Sequence, residues 1–234
     1  MDGQALPRYV QIAEMLIRDI GAGRLADGVR LPPERAMAEQ LDVSVGTLRK
    51  ALDRLAEAGL LDRVQGSGNY VRARQAGRAV YAFFRLERPD GGGLPTAEVL
   101  SVDRVAKPAT LPEFGESAEA HRIRRLRRLD GVPVALEEIW LDGARAEVLS
   151  PAALSESLYL HYREALDLVI GRVEDRVGIG KAPRWGPAGI GPAAGETCGQ
   201  VDRLSWSQDG ERVEASATWF DNEKCRYVSR MGRG

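Results

Sequence analysis

Apolar side chains recur at helical spacing near the amino terminus. The first such stretch follows Pro7, a residue that favours the first turn of a helix, and it ends at glycines 21 and 23. Its apolar positions are Tyr9, Ile12, Ala13, Leu16, Ile17 and Ile20. Because these positions recur every three or four residues, they predict an amphipathic helix with one buried face.

Two further helices are predicted after the first. Prolines 32 and 33 favour the start of the second helix, which covers PERAMAEQL, and Ser44 is a good N-cap for the third. The third helix ends at Gly59, and its apolar positions are Leu48, Ala51, Leu52 and Leu55. These fall at i, i+3, i+4 and i+7, so they share one face of the helix.

A hairpin is predicted directly after the third helix. Residues 60–64 and 69–71 are short apolar runs on either side of a glycine-containing turn, Gln65-Gly66-Ser67-Gly68. Two helices joined by a tight turn and followed by a hairpin are the pattern of a winged helix-turn-helix. In that motif the second helix of the pair enters the major groove of DNA.

The rest of the chain predicts an α+β domain. The polar, basic stretch RARQAGR at residues 72–78 is typical of a linker, so we predict two domains, 1–75 and 76–234. In the second domain we predict strands at 80–86, 97–105, 121–129, 132–141, 202–207, 212–220 and 225–231, and helices at 151–154 and 158–169. The glycine- and proline-rich run 178–199 predicts a mobile loop.

Composition and charge narrow the class of protein. The 234 residues include no apolar run long enough for a transmembrane helix and no amino-terminal signal pattern. Two cysteines are too few for a disulfide framework, so we expect a reduced, cytoplasmic protein. The formal net charge of −1 argues against a strongly basic nucleic-acid binder, although it says nothing about how charge is distributed.

The exposed face of the third helix carries groups suited to DNA. Removing the apolar positions between residues 44 and 54 leaves one acid and a set of polar or basic residues: Ser44, Gly46, Thr47, Arg49, Lys50 and Arg54. Hydroxyls near a helix start can donate to phosphates, and long cationic side chains can reach base edges. Solvated cations on an exposed helix would produce the same pattern.

The stretch LADGVRLPPERAMAEQLDVSVGTLRKALDRLAEAGLLDRVQGSGNYV resembles the DNA-binding domain of the GntR family of bacterial transcription regulators. The resemblance covers nearly all of residues 7–72 and implies that Arg35, Thr47, Arg49 and Gly66 contact operator DNA. Ser44 and Lys50 of the helix and Gln65 of the wing motif complete the candidate set. One departure is Val45, which stands where many members have arginine, so one contact of the common operator is missing here.

No constellation for catalysis, metal binding or a cofactor is evident. His121 and His161 lie far apart in sequence without metal-ligand spacing, and Cys198 and Cys225 have no pairing motif. The sequence Gly178-Ile179-Gly180-Lys181 lacks the glycine spacing and the hydroxyl residue of a phosphate-binding loop. We therefore expect no metal and no cofactor.

An arginine-rich strand is the most informative feature of the second domain. In the run Arg122-Ile-Arg-Arg-Leu-Arg-Arg128, alternate residues share a face, so Arg125 and Arg127 project together. Two guanidinium groups side by side can bind a phosphate or a carboxylate. The following strand brings Glu137 as a hydrogen-bond acceptor. A solvated strand surface would explain the same arginines.

The segments RLRRLDGVPVALEEIWL, SLYLHY and RLSWSQDGERVEASATWF resemble the UTRA ligand-sensing domain of the HutC-type branch of GntR regulators. This resemblance implies a chorismate-lyase-like α+β fold that dimerises and performs no chemistry. It also implies an effector site drawn from six residues: Arg125, Arg127, Glu137, Ser157, Tyr159 and Glu214. Effectors in this branch include sugar phosphates and small carboxylates.

Two hypotheses from different classes therefore follow from the sequence. The first is a transcription regulator, most often a repressor in this family, that binds a near-palindromic operator as a homodimer and responds to a small anionic effector. The alternative is a lyase-like enzyme with an accessory winged helix. The lack of any acid, base or nucleophile constellation counts against the enzyme.

Overall fold

The computed structural model describes residues 7–21, 23–72, 83–154 and 158–230, and these divide into two compact units. Within the described residues, one unit consists of 7–86 with 227–230, and the other consists of 87–226. The domain boundary that we predict between residues 75 and 76 lies outside the described residues.

The amino-terminal unit contains three helices and a hairpin, which confirms the predicted winged helix-turn-helix. Its elements are α1 (Arg8–Gly21), α2 (Glu34–Gln40), α3 (Val45–Glu57), β1 (Leu61–Val64) and β2 (Gly68–Val71). Strands β1 and β2 are antiparallel. The four apolar residues predicted for the third helix are fully buried, and α3 packs against both α1 and α2. Helix α3 is therefore held by its apolar face, which leaves its polar face exposed.

The carboxy-terminal unit is built on an antiparallel sheet of six strands, which confirms the α+β prediction. After the short β3 (Leu86–Glu87), its elements are β4 (Pro95–Ala106), β5 (Glu119–Leu129), β6 (Val132–Asp142), α4 (Leu158–Ala165), β7 (Ile170–Lys181), β8 (Thr197–Ser207) and β9 (Arg212–Phe220). The strand order is β4-β5-β6-β9-β8-β7. A last short strand, β10 (Arg226–Tyr227), pairs with β3.

The turn between β5 and β6 sets the register of the sheet's centre. Asp130 and Gly131 both have positive φ, 48° and 78°, as a two-residue hairpin turn requires. The Asp-Gly pair therefore confirms the hairpin predicted there. In the resulting register, Arg125 lies opposite Glu137, and Arg127 lies opposite Ala135.

The prediction of a mobile loop at 178–199 is wrong at both ends of that range. Strand β7 continues to Lys181 and β8 begins at Thr197, so only residues 182–196 connect them. Glycines in these strands make room for neighbouring side chains: a Cβ at Gly180 would meet the Gln200 side chain, and one at Gly199 would meet the Phe220 ring. The glycines thus reflect close packing within a sheet, which sequence composition cannot distinguish from a loop.

Four other predicted elements are shorter than expected. The helix predicted at 158–169 ends at Ala165, and the segment 151–154 forms a 3-10 turn, Pro151–Ala153. The strand predicted at 80–86 is found only as β3, with residues 80–82 outside the described part, and the strand predicted at 225–231 is found only as β10, with residue 231 outside it. In these cases tertiary packing overrides local β or helix propensity.

Within the described part of the chain, no helix is long and apolar enough to cross a membrane.

We expect Leu52→Ala to destabilise the amino-terminal unit by about 2–5 kcal/mol, because it removes a fully buried side chain and leaves a cavity beneath α3. Val64→Ala is the matched control, since Val64 is 48% exposed. Denaturant titration of both variants, followed by far-UV circular dichroism, measures the difference. An equal effect of the two substitutions would contradict the packing described for α3.

Candidate functional site

The start of α3 is organised by Ser44. Its side-chain oxygen accepts a hydrogen bond from the Thr47 backbone nitrogen at 3.1 Å, and its hydroxyl lies 2.8 Å from the Thr47 hydroxyl. This confirms Ser44 as the N-cap. Capping uses the Ser44 oxygen as an acceptor, while the positive end of the helix remains near the surface, where an anion would be stabilised.

Arg49 is held by a carboxylate from the preceding helix. Its Nε donates to Glu34 Oε2 at 2.7 Å, so the exposed guanidinium of α3 lies beside the start of α2. The hydrogen bond to Glu34 is the main cause of a raised pKa at Arg49. Arg35 follows Glu34 in the chain and is exposed as well. The ion pair therefore brings the first turn of α2 and the exposed face of α3 together.

We name the predicted DNA-contacting residues the reading surface: Arg35, Ser44, Thr47, Arg49, Lys50, Gln65 and Gly66. All are exposed except Thr47, which is half-buried. Gln65 and Gly66 form the turn of the β1–β2 wing, where Gly66 has a φ of 76° that favours glycine. Val45 is half-buried at the first position of α3. The wing residues and the helix residues come from separate elements of the same unit, and their role in DNA binding stays a prediction.

In the carboxy-terminal unit, Arg125 and Arg127 are not solvated. Each is 5% exposed, and both share Glu137: Arg125 Nη2 donates to Glu137 Oε2 at 2.7 Å, and Arg127 Nε lies 3.4 Å from Glu137 Oε1. Burial by itself would raise the pKa of Glu137, but the charges of Arg127 and Arg125 outweigh it and lower the pKa. Glu137 is therefore a charged carboxylate between two buried guanidinium groups.

Tyr159 of α4 contacts Glu214 on the face of the sheet that also carries Glu137. The Tyr159 hydroxyl donates to Glu214 Oε1 at 3.0 Å, the Tyr162 hydroxyl donates to Glu214 Oε2 at 2.8 Å, and the Ser205 hydroxyl donates to Glu214 Oε1 at 2.9 Å. Burial raises the pKa of Glu214, and these three donors oppose that shift. Helix α4 is thus tied to β8 and β9 through one buried carboxylate.

A third arginine acts electrostatically on both carboxylates. Arg203 on β8 makes two hydrogen bonds to Asp175 on β7, at 2.6 and 2.7 Å, and its charge acts on both Glu137 and Glu214. We name the whole group the charged cluster: Arg125, Arg127, Glu137, Tyr159, Tyr162, Asp175, Arg203, Ser205 and Glu214. Strand alternation and register place its strand residues on one face of the sheet.

Sequence reasoning missed four members of the charged cluster. Tyr162 follows Tyr159 by three residues on α4, a spacing that could have found it. Arg203 and Ser205 lie in the strand predicted at 202–207, but no element is predicted at 170–177. The pairing of β7 with β8, which brings Asp175 to Arg203, therefore could not be found from the sequence. The predicted site residue Ser157 lies outside the described residues. Effector binding by any of these residues stays a prediction.

The histidines and cysteines that the sequence offers as candidates for chemistry are buried or half-buried. His121 is buried, with Nε2 2.9 Å from the Ala146 carbonyl oxygen, and burial lowers the pKa of the half-buried His161. Burial raises the pKa of Cys198, and raises that of Cys225 to about 12, so neither thiol is activated as a nucleophile. Across the residues that the structure covers, no group of three or more His, Cys, Asp or Glu side chains could hold a metal ion.

Two family models match the chain. The model for bacterial regulatory proteins of the gntR family matches residues 8–71, and the UTRA domain model matches residues 90–226. The first match contains the whole reading surface, and the second contains the whole charged cluster. The two matches therefore coincide with the two units that carry the candidate sites.

Transcriptional regulators from other bacteria are similar to this chain over most of its length. The HTH-type transcriptional regulator SmoD of Agrobacterium fabrum is 58% identical over 98% of both chains. The mannosyl-D-glycerate transport/metabolism system repressor MngR of Escherichia coli is 31% identical over 73% of each. The crystal structure of YydK, a possible transcriptional regulator from Bacillus subtilis, has a TM-score of 0.54 at 21% identity, covering 97% of this chain and all of that one, which shows a shared fold.

We expect Glu137→Gln and Glu214→Gln to change the pH dependence of unfolding in opposite directions. The pKa of Glu137 is lowered from 4.5, so its charged form adds stability at pH values above the pKa that this group has in the unfolded chain. That stability is lost as the pH falls through the folded pKa. The pKa of Glu214 is raised, so the stability given by its neutral form is lost as pH rises through the folded pKa.

Denaturant titrations of both variants and the unsubstituted chain, from acidic to neutral pH, test this. The stability advantage of the unsubstituted chain over Glu137→Gln should grow with pH, and its advantage over Glu214→Gln should shrink. Advantages that change in the same direction would contradict the two environments.

Proposed function

This chain belongs to the gntR family of bacterial regulatory proteins and carries a UTRA domain, and we propose that it is a ligand-responsive transcriptional repressor. Two copies bind a palindromic operator in the cytoplasm, and a small anionic metabolite in the charged cluster modulates that binding. The family and its relatives are transcriptional regulators, which points to a protein that is not an enzyme. We therefore do not assign the lyase-like reaction to the second unit.

One observation carries the proposal for DNA binding. The apolar residues of α3 are fully buried, so its polar side is the exposed one, and Ser44, Arg49 and Lys50 are exposed on that side. A helix presented in this way can enter the major groove with its amino-terminal residues towards the bases. A homodimer presents two such helices, which is why a palindromic operator is expected.

The Glu34–Arg49 ion pair supports a role for Arg49 in selecting its target. Glu34 offers Arg49 a carboxylate, so a phosphate or a guanine edge must compete with that carboxylate. A poorly placed DNA acceptor will leave Arg49 with Glu34, whereas a bidentate guanine contact can replace it. Near-zero net charge also limits non-specific attraction, so tight binding depends on matched half-sites.

The charged cluster supports an anionic effector. Arg125 and Arg127 already hold one carboxylate, Glu137, between them, so the pair has the geometry to bind another small anion such as a sugar phosphate or a carboxylate. The name of the relative MngR refers to a glycosylated carboxylate, which agrees with this class. An effector changes DNA binding only if it prefers one arrangement of the two copies.

Arg49→Ala is expected to cost about 1–3 kcal/mol of operator affinity, roughly 5- to 150-fold, because it removes a base contact. The probe is a DNA duplex selected by the unsubstituted chain from a random-sequence library, and affinity is measured by fluorescence anisotropy at one fixed salt concentration. The matched control is Arg163→Ala, an exposed arginine of α4 outside the reading surface. Equal affinities of Arg49→Ala and the unsubstituted chain would remove Arg49 from the reading surface.

Arg125→Ala combined with Arg127→Ala is expected to abolish the effector response while leaving DNA affinity unchanged. A thermal-shift screen of phosphorylated sugars and small carboxylates identifies the anion that stabilises the unsubstituted chain. That anion is then added to the DNA titration. The control is Arg128→Ala on the same strand, since Arg128 pairs with the exposed Glu98 instead of Glu137.

The double substitution leaves Glu137 buried without its cations, which can unfold the unit. Arg127→Lys therefore provides a second test, because it keeps the charge but loses the planar fork, and we expect it to weaken the response. A folded double variant that still responds to the anion like the unsubstituted chain would show that the effector binds elsewhere.

A further inference from the structure

The segment that precedes α2 pairs with the β1–β2 wing. The Leu31 backbone nitrogen donates to the Asn69 carbonyl oxygen at 2.9 Å, and Arg30 forms an antiparallel bridge with Tyr70 of β2. Residues that lie directly opposite each other in an antiparallel pair project their side chains from the same face. The Arg30 side chain therefore lies on the face of the wing that also carries Tyr70.

This face is the outer face of the wing. Along β2, Asn69 and Val71 are buried, whereas Gly68 and Tyr70 alternate with them and are half-buried. Arg30 is exposed. Because residues 68 and 70 share one face of the strand, a long side chain opposite Tyr70 can extend along that face towards Gly68 and the wing turn.

The guanidinium group of Arg30 lies over Gly68. A Cβ at Gly68 would stand 3.1 Å from Arg30 Nε and 3.6 Å from Nη2, so a side chain there would press against the guanidinium. Gly68 also has a φ of 133°, which favours glycine. Gly68 follows Gly66 of the reading surface by two residues, a span of at most about 7 Å. The Arg30 guanidinium is thus held beside the wing turn.

Arg30 brings a positive charge to a turn that has none of its own. The turn Gln65-Gly66-Ser67-Gly68 contains no lysine or arginine. Asp62, which lies opposite Tyr70 in β1, is held by Arg72, whose Nε donates to Asp62 Oδ2 at 2.6 Å. Among the residues that the structure describes, no carboxylate forms an ion pair with Arg30. Its charge is therefore open to an external anion.

We infer that Arg30 is a further DNA-contacting residue, which binds a phosphate of the operator backbone beside the wing. The inference rests on the proposed function and adds a residue outside the reading surface. A guanidinium group can donate two parallel hydrogen bonds to phosphate oxygens. Because the side chain is laid along the wing and does not project beyond the turn, we assign it to the DNA backbone and not to a base edge.

Arg30 and Arg49 then have different tasks. Arg49 must exchange Glu34 for DNA, so it favours a duplex that offers a well-placed acceptor. Arg30 gives up no ion-pair partner, and every duplex offers it a phosphate. Arg30 should therefore strengthen binding to any sequence by a similar factor, whereas Arg49 should distinguish one sequence from another.

The first experiment compares Arg30→Gln, which removes the charge, with Arg30→Lys, which keeps it. Anisotropy titrations with the duplex selected by the unsubstituted chain are repeated at several salt concentrations. Arg30→Gln should lower the slope of log affinity against log salt by about 0.9 in magnitude for each bound copy, and Arg30→Lys should leave it nearly unchanged. Arg24→Gln is the control, since Arg24 is exposed between α1 and α2 but pairs with Asp19.

The second experiment compares the selected duplex with a scrambled duplex of the same length at one fixed salt concentration. Arg30→Gln should weaken binding to both duplexes by the same factor, because a phosphate contact is independent of sequence. Arg49→Ala should weaken binding to the selected duplex more than to the scrambled one. Circular dichroism and thermal melting check that each variant is folded.

The outcomes separate this inference from the proposed function. A salt slope that Arg30→Gln leaves unchanged would overturn the phosphate contact, even where Arg49→Ala still weakens binding. Equal affinity losses in Arg30→Gln and Arg30→Lys without a change in slope would assign Arg30 to packing of the wing and overturn the contact as well. A loss confined to the selected duplex would indicate a base contact instead. An unsubstituted chain that binds no duplex would overturn the proposed function itself. A reduced slope in Arg30→Gln alone, with equal losses on both duplexes, would establish the contact.

Discussion

The carboxy-terminal unit depends on the mutual neutralisation of charges buried on one face of its sheet. Arg125 and Arg127 surround Glu137, and Arg203 holds Asp175, so each of these two carboxylates lies against at least one guanidinium. Moving a charge from water into a protein interior costs several kcal/mol unless a partner lies in good geometry. The register of the strands supplies that geometry, and loss of one partner would leave the other charge uncompensated.

The same constraint explains how such a cluster can respond to a metabolite. An anion that enters the cluster must take over contacts that Glu137 makes with Arg125 and Arg127. Because Glu214 ties Tyr159 and Tyr162 of α4 to the sheet, redistribution of charge in the cluster is transmitted to a helix as well as to strands. Packed elements of this kind respond by switching between discrete arrangements, since tightly packed interiors deform little.

The two units use a related arrangement of charges. In the amino-terminal unit Arg49 is paired with Glu34, and in the carboxy-terminal unit Arg125 is paired with Glu137. In each case a carboxylate orients an arginine that we propose to meet an anionic ligand. The surroundings differ, because the first pair is largely exposed and the second is buried. The exposed pair can exchange partners at low cost, whereas the buried pair exchanges only for a ligand that replaces its interactions well.

The sequence by itself determined the amino-terminal unit almost completely. Helix spacing, the Ser44 cap and the glycine turn of the wing are local signals, and each acts over only a few residues. The sequence also determined the β5–β6 hairpin, because Asp130-Gly131 specifies the turn and the turn specifies the register that joins Arg125 to Glu137.

Only the tertiary structure decided the place of β7 and the membership of Asp175 and Arg203 in the charged cluster. The end of β7 and the start of β8 have the glycine-rich composition of a loop. Their strand character comes from pairing with each other and from side chains such as Phe220, which fills the space above Gly199. Pairing between strands that are joined by a long connection depends on contacts distant in sequence. Local propensity carries no information about those contacts.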